Sequence, residues 1–218
     1  MYKAVFFDLD GTLVNSLYDL AASTNYVITK YGFKEREVDE FKYFVGDGIP
    51  KMLERAIGTN ISGELFEQIK KEFLEYYAEH YCDETCAYEG IVGVLGFLKS
   101  KGVKLAVVTN KAQEMAEKVV DDIFGLVVKF DYVLGMQEGI PPKPDPTGIF
   151  MAMDKLQVTP NECVFVGDTG MDVAAGVNAG AYAVGVLWGF REEKELIQNG
   201  AKEIVSKPIE IANIVMDN

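Results

Sequence analysis

The feature that most narrows the fold is a set of short apolar runs that do not alternate. Ala4–Phe7, Lys104–Val108, Tyr132–Leu134, Cys163–Val166 and Tyr182–Val186 are each almost continuous in apolar, mostly β-branched or aromatic, residues. A strand with one wet face alternates apolar and polar side chains. A run without alternation predicts a strand covered on both faces, as in a parallel sheet sandwiched by helices. Helical spacing separates the last four runs. Gly90–Lys101 carries Val94, Leu95 and Leu98; Gln113–Ile123 carries Met115, Ala116, Val119, Val120 and Ile123; Pro146–Leu156 and Met171–Ala179 repeat the pattern. Strand–helix alternation of this kind predicts a doubly wound α/β domain.

The first gap breaks the rule. From about Asn15 to about Cys82 no strand pattern occurs, and a crossover does not need some seventy residues. Ser62–Tyr81 places Leu65, Phe66, Ile69, Phe73, Tyr76 and Tyr77 on one face of an amphipathic helix, and Leu17–Lys30 and Ile49–Ile57 also read as helices. The expected organisation is therefore an α/β core of residues 1–14 and 83–218 with an inserted helical cap, residues 15–82. A length of 218 residues suits one domain with such an insert.

Composition excludes several classes. Hydrophobic residues at 49% and charged residues at 25% describe an ordinary globular protein. No apolar run reaches the roughly eighteen residues that cross a bilayer, so no membrane partner is expected. The start MYKAVFFDLD lacks the features of a signal peptide. Together with an odd set of three cysteines, this predicts reduced thiols and a cytoplasmic location. His80, Cys82 and Cys86 are close in sequence, but zinc sites usually add a second ligand pair. The end of a helix is the expectation there. A net charge of −13 repels phosphate backbones and excludes nucleic acid as a partner. An anionic substrate would need local cations to overcome that field.

The polar residues of interest sit just after predicted strands. Asp8 and Asp10 follow the first run, Thr109 and Asn110 the second, and Asp168 and Asp172 the fourth; Lys143 lies in the proline-rich loop after the third. In open α/β sheets, ligands bind outside the carboxyl ends of the strands. Residues i and i+2 of extended chain point the same way, so Asp8 and Asp10 project together while Leu9 faces elsewhere. Asp168 adds a third carboxylate. Such a group is untenable in a dry pocket without a cation, and Mg²⁺, a hard ion that takes oxygen ligands, is the natural one. Lys143 supplies further positive charge, on a loop stiffened by prolines 141, 142, 144 and 146. Gly11 gives the backbone room beside a phosphate. Thr12 and Asn110 read equally well as substrate contacts or as loop caps.

The order D-x-D-G-T, then T-N after an apolar strand, then K-P, then G-D-x-x-x-D resembles the haloacid dehalogenase superfamily of phosphatases and phosphotransferases, over essentially the whole chain. The resemblance implies that Asp8 is the nucleophile and forms an aspartyl-phosphate. It implies that Asp10 protonates the leaving alcohol and then activates water. It implies that Thr109 and Lys143 hold the phosphoryl oxygens. By the same resemblance Asp8, Asp168 and the backbone carbonyl of Asp10 bind Mg²⁺, supported by Asp172. Asp10 must carry a proton for the first step, which burial would favour. Dehalogenases of the superfamily lack an acid at that place, so phosphate-ester chemistry is expected.

Finer resemblance points to the phosphoglycolate phosphatases. It rests on YFVGDGIPKMLERAIG (43–58), on 87–111 and on VGVLWGF (184–190). It implies that Gly46 and Gly48 form a turn whose N–H groups approach the leaving group. Lys51 and Arg55, one helical turn apart, read as contacts to a carboxylate or as a solvated face. The chain has Asn15–Ser16 where the family often has aspartate, and either residue suits a helix N-cap. The expected substrate is a small phosphate ester, and the chain a monomer or homodimer. Phosphomutase and pyrophosphatase chemistry remain alternatives within the superfamily. A non-enzymatic phospho-signalling or binding protein is a more distant one.

Overall fold

The structure is a computed structural model that describes residues 1–217. It divides into two compact units: Met1–Val14 together with the chain from Ala87 onward, and Asn15–Cys86.

The first unit is built on a parallel sheet. Its strands are β1 (Ala4–Phe7), β4 (Lys104–Ala112), β5 (Tyr132–Met136), β6 (Cys163–Gly167), β7 (Tyr182–Val186) and β8 (Glu203–Val205). Two further strands, β2 (Val14–Asn15) and β3 (Cys86–Ala87), mark where the chain leaves this unit and returns. The six-stranded order is β5-β4-β1-β6-β7-β8, and every pair is parallel. All five non-alternating runs are strands of this sheet, as expected. Two-faced burial is the reason they read that way. Ala4, Phe6, Ala106, Val108, Cys163 and Phe165 pack on one face against Ile149, Ala152, Met153 and Ala175. Their neighbours Val5, Phe7, Leu105, Val107, Val164 and Val166 point to the other face and are just as buried.

Helices α5 (Ile91–Ser100), α6 (Gln113–Phe124), α7 (Thr147–Leu156) and α8 (Gly170–Asn178) fall on the four helical patterns to within one residue at each end. The unit ends with α9 (Glu193–Gln198) and α10 (Pro208–Asp217). The apolar-run criterion misses β8 because that edge strand has three residues and opens on exposed Glu203. It also ends the second strand at Val108, whereas β4 continues to Ala112, with an irregular register against β5 after Val108. Thr109, Asn110 and Lys111 therefore lie within the strand and are buried there.

The order of strands matters for function. From β1 the sheet grows through β4 to β5, then resumes on the other side of β1 with β6. The direction reverses between β1 and β6, and the ligand crevice of open α/β sheets opens at such a reversal. Asp8 follows β1 directly, and Asp168 follows β6 directly.

The second unit is helical: α1 (Leu17–Lys30), α2 (Phe41–Phe44), α3 (Ile49–Ile57) and α4 (Gly63–His80). Ser62 caps α4 by accepting the N–H of Leu65 at 3.3 Å. The buried stripe of α4 is Ile69, Phe73 and Tyr77; α4 packs on α1 and α3, whose buried side chains include Leu20, Val27 and Ile28, and Met52 and Leu53. Tyr76 is a partial exception to the expected face, because it stacks on Tyr26 and on His80 instead. Ser16 occupies the N-cap position of α1, yet the cap contact is the Asn15 side chain accepting the N–H of Leu17 at 3.3 Å. His80 ends α4 and pairs with Asp83 at 2.8 Å, while Cys82 faces the Thr85 carbonyl. That segment is a helix end.

Candidate active site

The carboxyl ends of β1, β4 and β6, the β5–α7 loop and the start of α8 bring a set of charged side chains into one buried cluster. Lys143 is its centre. Its Nζ lies 2.7 Å from Oδ1 of Asp8 and 2.5 Å from Oδ1 of Asp172. Asp8, Asp168 and Asp172 each offer a carboxylate oxygen, and these oxygens all lie within 4.8 Å of one another. Among the described residues this is the one acidic, histidine or cysteine group arranged to share an ion. Its donors are all hard oxygens, which fit a divalent cation such as Mg²⁺.

Lys143 is only 6% exposed although it sits in a loop. The loop is held from β4: the Asn110 side-chain oxygen accepts the N–H of Lys143 at 2.9 Å, and its amide nitrogen donates to the Lys143 carbonyl at 3.2 Å. Asn110 is thus engaged with the backbone of the lysine loop, where the sequence suggested a substrate contact or a cap. The Lys143–Pro144 bond is cis. Asp172 is turned by a capping box at the start of α8, where its Oδ2 accepts the N–H and the hydroxyl of Thr169 at 3.0 and 2.7 Å. The other oxygen faces Lys143.

Asp168 is gripped at both oxygens. The Thr12 hydroxyl donates to Oδ1 at 3.0 Å and the Phe190 N–H to Oδ2 at 2.8 Å. The indole N–H of Trp188 donates to the Thr12 carbonyl at 3.0 Å and ties down the turn. Gly11 has a φ of +87°, and a Cβ there would fall on the Asp168 carboxylate. Glycine is therefore demanded at position 11 twice over. Thr12 serves the aspartate and not, in this arrangement, a ligand.

The side chains of the two aspartates of D-x-D face different lysines. Asp8 turns to Lys143, and Asp10 pairs with Lys111, whose Nζ lies 3.0 and 3.1 Å from its two carboxylate oxygens. The Asp10 charge still adds to the repulsion felt by Asp8. The sequence reading did not include this buried ammonium facing Asp10. Thr109 accepts the N–H of Lys111 at 3.3 Å, a bond that does not use its hydroxyl proton.

Electrostatics follow from the crowding. Burial, then repulsion from Asp172, raises Asp8 from 3.8 to about 6 despite Lys143. Burial raises Asp168 well above the usual carboxylate range, with repulsion from Asp172 and Asp8 adding to it and the bonds from Phe190 and Thr12 opposing. Burial alone would lower Lys143, but Asp172 and Asp8 outweigh it and hold the ammonium above its ordinary value. Three carboxylates around one lysine leave the cluster short of positive charge.

The profile described as "Haloacid dehalogenase-like hydrolase" matches residues 5–186. The chain belongs to this hydrolase family. Among curated members, the phosphoglycolate phosphatase of Aquifex aeolicus is 32% identical over 99% of this chain and 97% of its own length. That of Pasteurella multocida is 34% identical over 87% of each chain. A solved structure from Lactobacillus delbrueckii subsp. bulgaricus, provisionally named a phosphoglycolate phosphatase, superposes with a TM-score of 0.91 at 29% identity over 100% of this chain and 99% of that one.

In this family member the helical unit carries the other residues singled out from sequence. Gly46 and Gly48 have φ of 123° and 83° in the turn before α3, and Gly48 is the N-cap of that helix. Arg55 pairs with Asp47 and donates to the Phe44 carbonyl at 2.9 Å, closing the end of α2. Lys51 pairs with Glu54 at 2.7 Å on the exposed face. Among the described residues no helix is long and apolar enough to cross a membrane. Sequence reasoning passed over Lys111, Trp188 and Phe190. For Lys111 a signal existed: it stands two residues beyond Thr109, on the same side of an extended strand. The other two lie in VGVLWGF, which entered the sequence reading only as a resemblance, because their contacts come from the fold bringing positions 188–190 back to 12 and 168.

Proposed function

We propose that the protein is a Mg²⁺-dependent phosphatase of a small phosphate ester, with 2-phosphoglycolate as the first candidate. The observation that carries this reading is the separation of the two aspartates onto different lysines. It gives Asp8 and Asp10 different tasks within one turn of chain.

In the proposed reaction Asp8 attacks phosphorus, an Asp8 Oδ–P bond forms and the bond from phosphorus to the alcohol oxygen breaks. The alcohol leaves with a proton from Asp10. A water then attacks phosphorus and gives its proton to Asp10, the Oδ–P bond breaks and phosphate is released. Thr109 and Lys143 hold the phosphoryl oxygens in line, which is most of what phosphoryl transfer requires of a protein. Asp8, Asp168 and the Asp10 carbonyl would hold the cation, with Asp172 orienting Lys143 beside it. The bound cation supplies the charge neutralisation that lets one anion approach another. Asn110 and Thr12 act as positioning groups for Lys143 and Asp168. The helical unit is assigned as the cap that selects the substrate. The three free cysteines fit a reducing compartment, the cytoplasm.

The test is phosphate release from phosphoglycolate, pyrophosphate, hexose phosphates and an aryl phosphate, each with Mg²⁺ and with chelator. Mg²⁺-dependent release with phosphoglycolate preferred supports the whole reading. Release from the aryl ester alone retains the chemistry and removes the substrate. No release from any ester removes the phosphatase, and isomerisation of a sugar phosphate in the presence of its bisphosphate is then measured.

A further inference from the structure

Lys111 is the one buried ammonium in the described cluster to which the proposed reaction gives no task. Its side chain is only 4% exposed, an uncommon place for lysine. A desolvated ammonium needs a close partner. It has one in Asp10, and it meets both oxygens of that carboxylate at nearly equal distance, 3.0 and 3.1 Å. Contact with both oxygens draws the end of the carboxylate toward Nζ and so sets the direction in which the Asp10 side chain extends. The base of Lys111 is fixed in turn, because it belongs to β4 and its N–H bonds to Thr109.

We infer that Lys111 is a positioning residue that aims the Asp10 carboxyl at the leaving group, acting through Asp10 and not on the substrate. The inference rests on the proposed phosphatase reading, in which Asp10 is the acid–base group. A proton donor works only within hydrogen-bond reach of its acceptor, and a displacement of about 1 Å costs on the order of a hundredfold in rate. A group with no task beyond filling space would not discriminate between leaving groups. A group that aims the proton donor would, because a phenolate departs without help and an alkoxide does not.

The experiment compares an alkyl phosphate with an aryl phosphate, taking kcat and KM separately, for Asp10→Asn, Lys111→Met and the double variant. Circular dichroism checks the fold, and Lys111→Arg, which keeps a cation facing Asp10, is measured as a second substitution at the same place. The expected result is a kcat for the alkyl ester lowered by Lys111→Met at least about tenfold more than for the aryl ester, with KM little changed. The double variant should be no slower than Asp10→Asn alone, because a residue that acts through Asp10 has nothing left to aim. Equal losses on both esters, or losses that multiply in the double variant, overturn the role of Lys111 and leave the phosphatase reading standing. If Asp10→Asn itself does not distinguish the esters, the acid–base role of Asp10 falls and the inference with it.

Discussion

Asp8→Asn should abolish turnover and, with metal removed, make the α/β unit more stable. The magnitude follows from the cluster. Burial and Asp172 raise Asp8 from 3.8 to about 6. At about 1.4 kcal/mol per pH unit, its ionisation near pH 7 costs the native state roughly 3 kcal/mol. That is an upper bound on the gain, because an amide still faces Asp172 and gives Lys143 a weaker acceptor. A net gain of about 1–2 kcal/mol corresponds to a rise in Tm of roughly 2–8 °C for a protein of this size. The sign also sets a pH dependence. A carboxyl raised in the folded state binds a proton there that the unfolded chain does not. The penalty is therefore fully present above about pH 6 and disappears as pH falls toward 4. The parent protein in chelator should gain stability from this group over that window, and Asp8→Asn should lack that part of the gain. Thermal unfolding with chelator at pH 7, 6 and 5 measures both effects. A variant less stable than its parent at pH 7, with an unchanged pH profile, would refute the account of Asp8 as a strained, cation-seeking carboxylate.

Three further outcomes follow from the same geometry. Stabilisation by millimolar Mg²⁺ should grow from pH 5 to pH 7, because the cation competes with the proton on Asp8; a constant shift in Tm would count against Asp8 as a ligand. Lys143→Met should leave Asp8 and Asp172 facing each other without their lysine, costing about 3–5 kcal/mol in denaturant titrations with chelator and less with Mg²⁺ present. In the helical unit, Arg55→Ala should cost about 1 kcal/mol through loss of the Asp47 pair and the Phe44 carbonyl contact, allowing for solvent screening, and Lys51→Ala close to nothing; equal effects in urea titration would show that the α2 end does not depend on Arg55.

The primary sequence determined the α/β class, five of the six strands of the sheet and most helices, because burial on both faces of a parallel sheet forces non-alternating apolar runs. It determined the short inventory of acids and the lysine as well, since D-x-D, T-N, K-P and D-x-x-x-D each come after an apolar run. It could not determine which cation each acid would face. Asp8 and Asp10 share a direction in an idealised strand, yet β1 ends at Phe7 and the turn that follows sends them to Lys143 and Lys111. Those lysines are 135 and 101 residues away in the chain. The grip on Asp168 from Thr12 and Phe190, and the hold of Asn110 on the lysine loop, are likewise contacts between distant segments. Local pattern reports what each strand buries; only the packed sheet decides which strand ends meet, and the pairing of charges at the site is a property of that meeting.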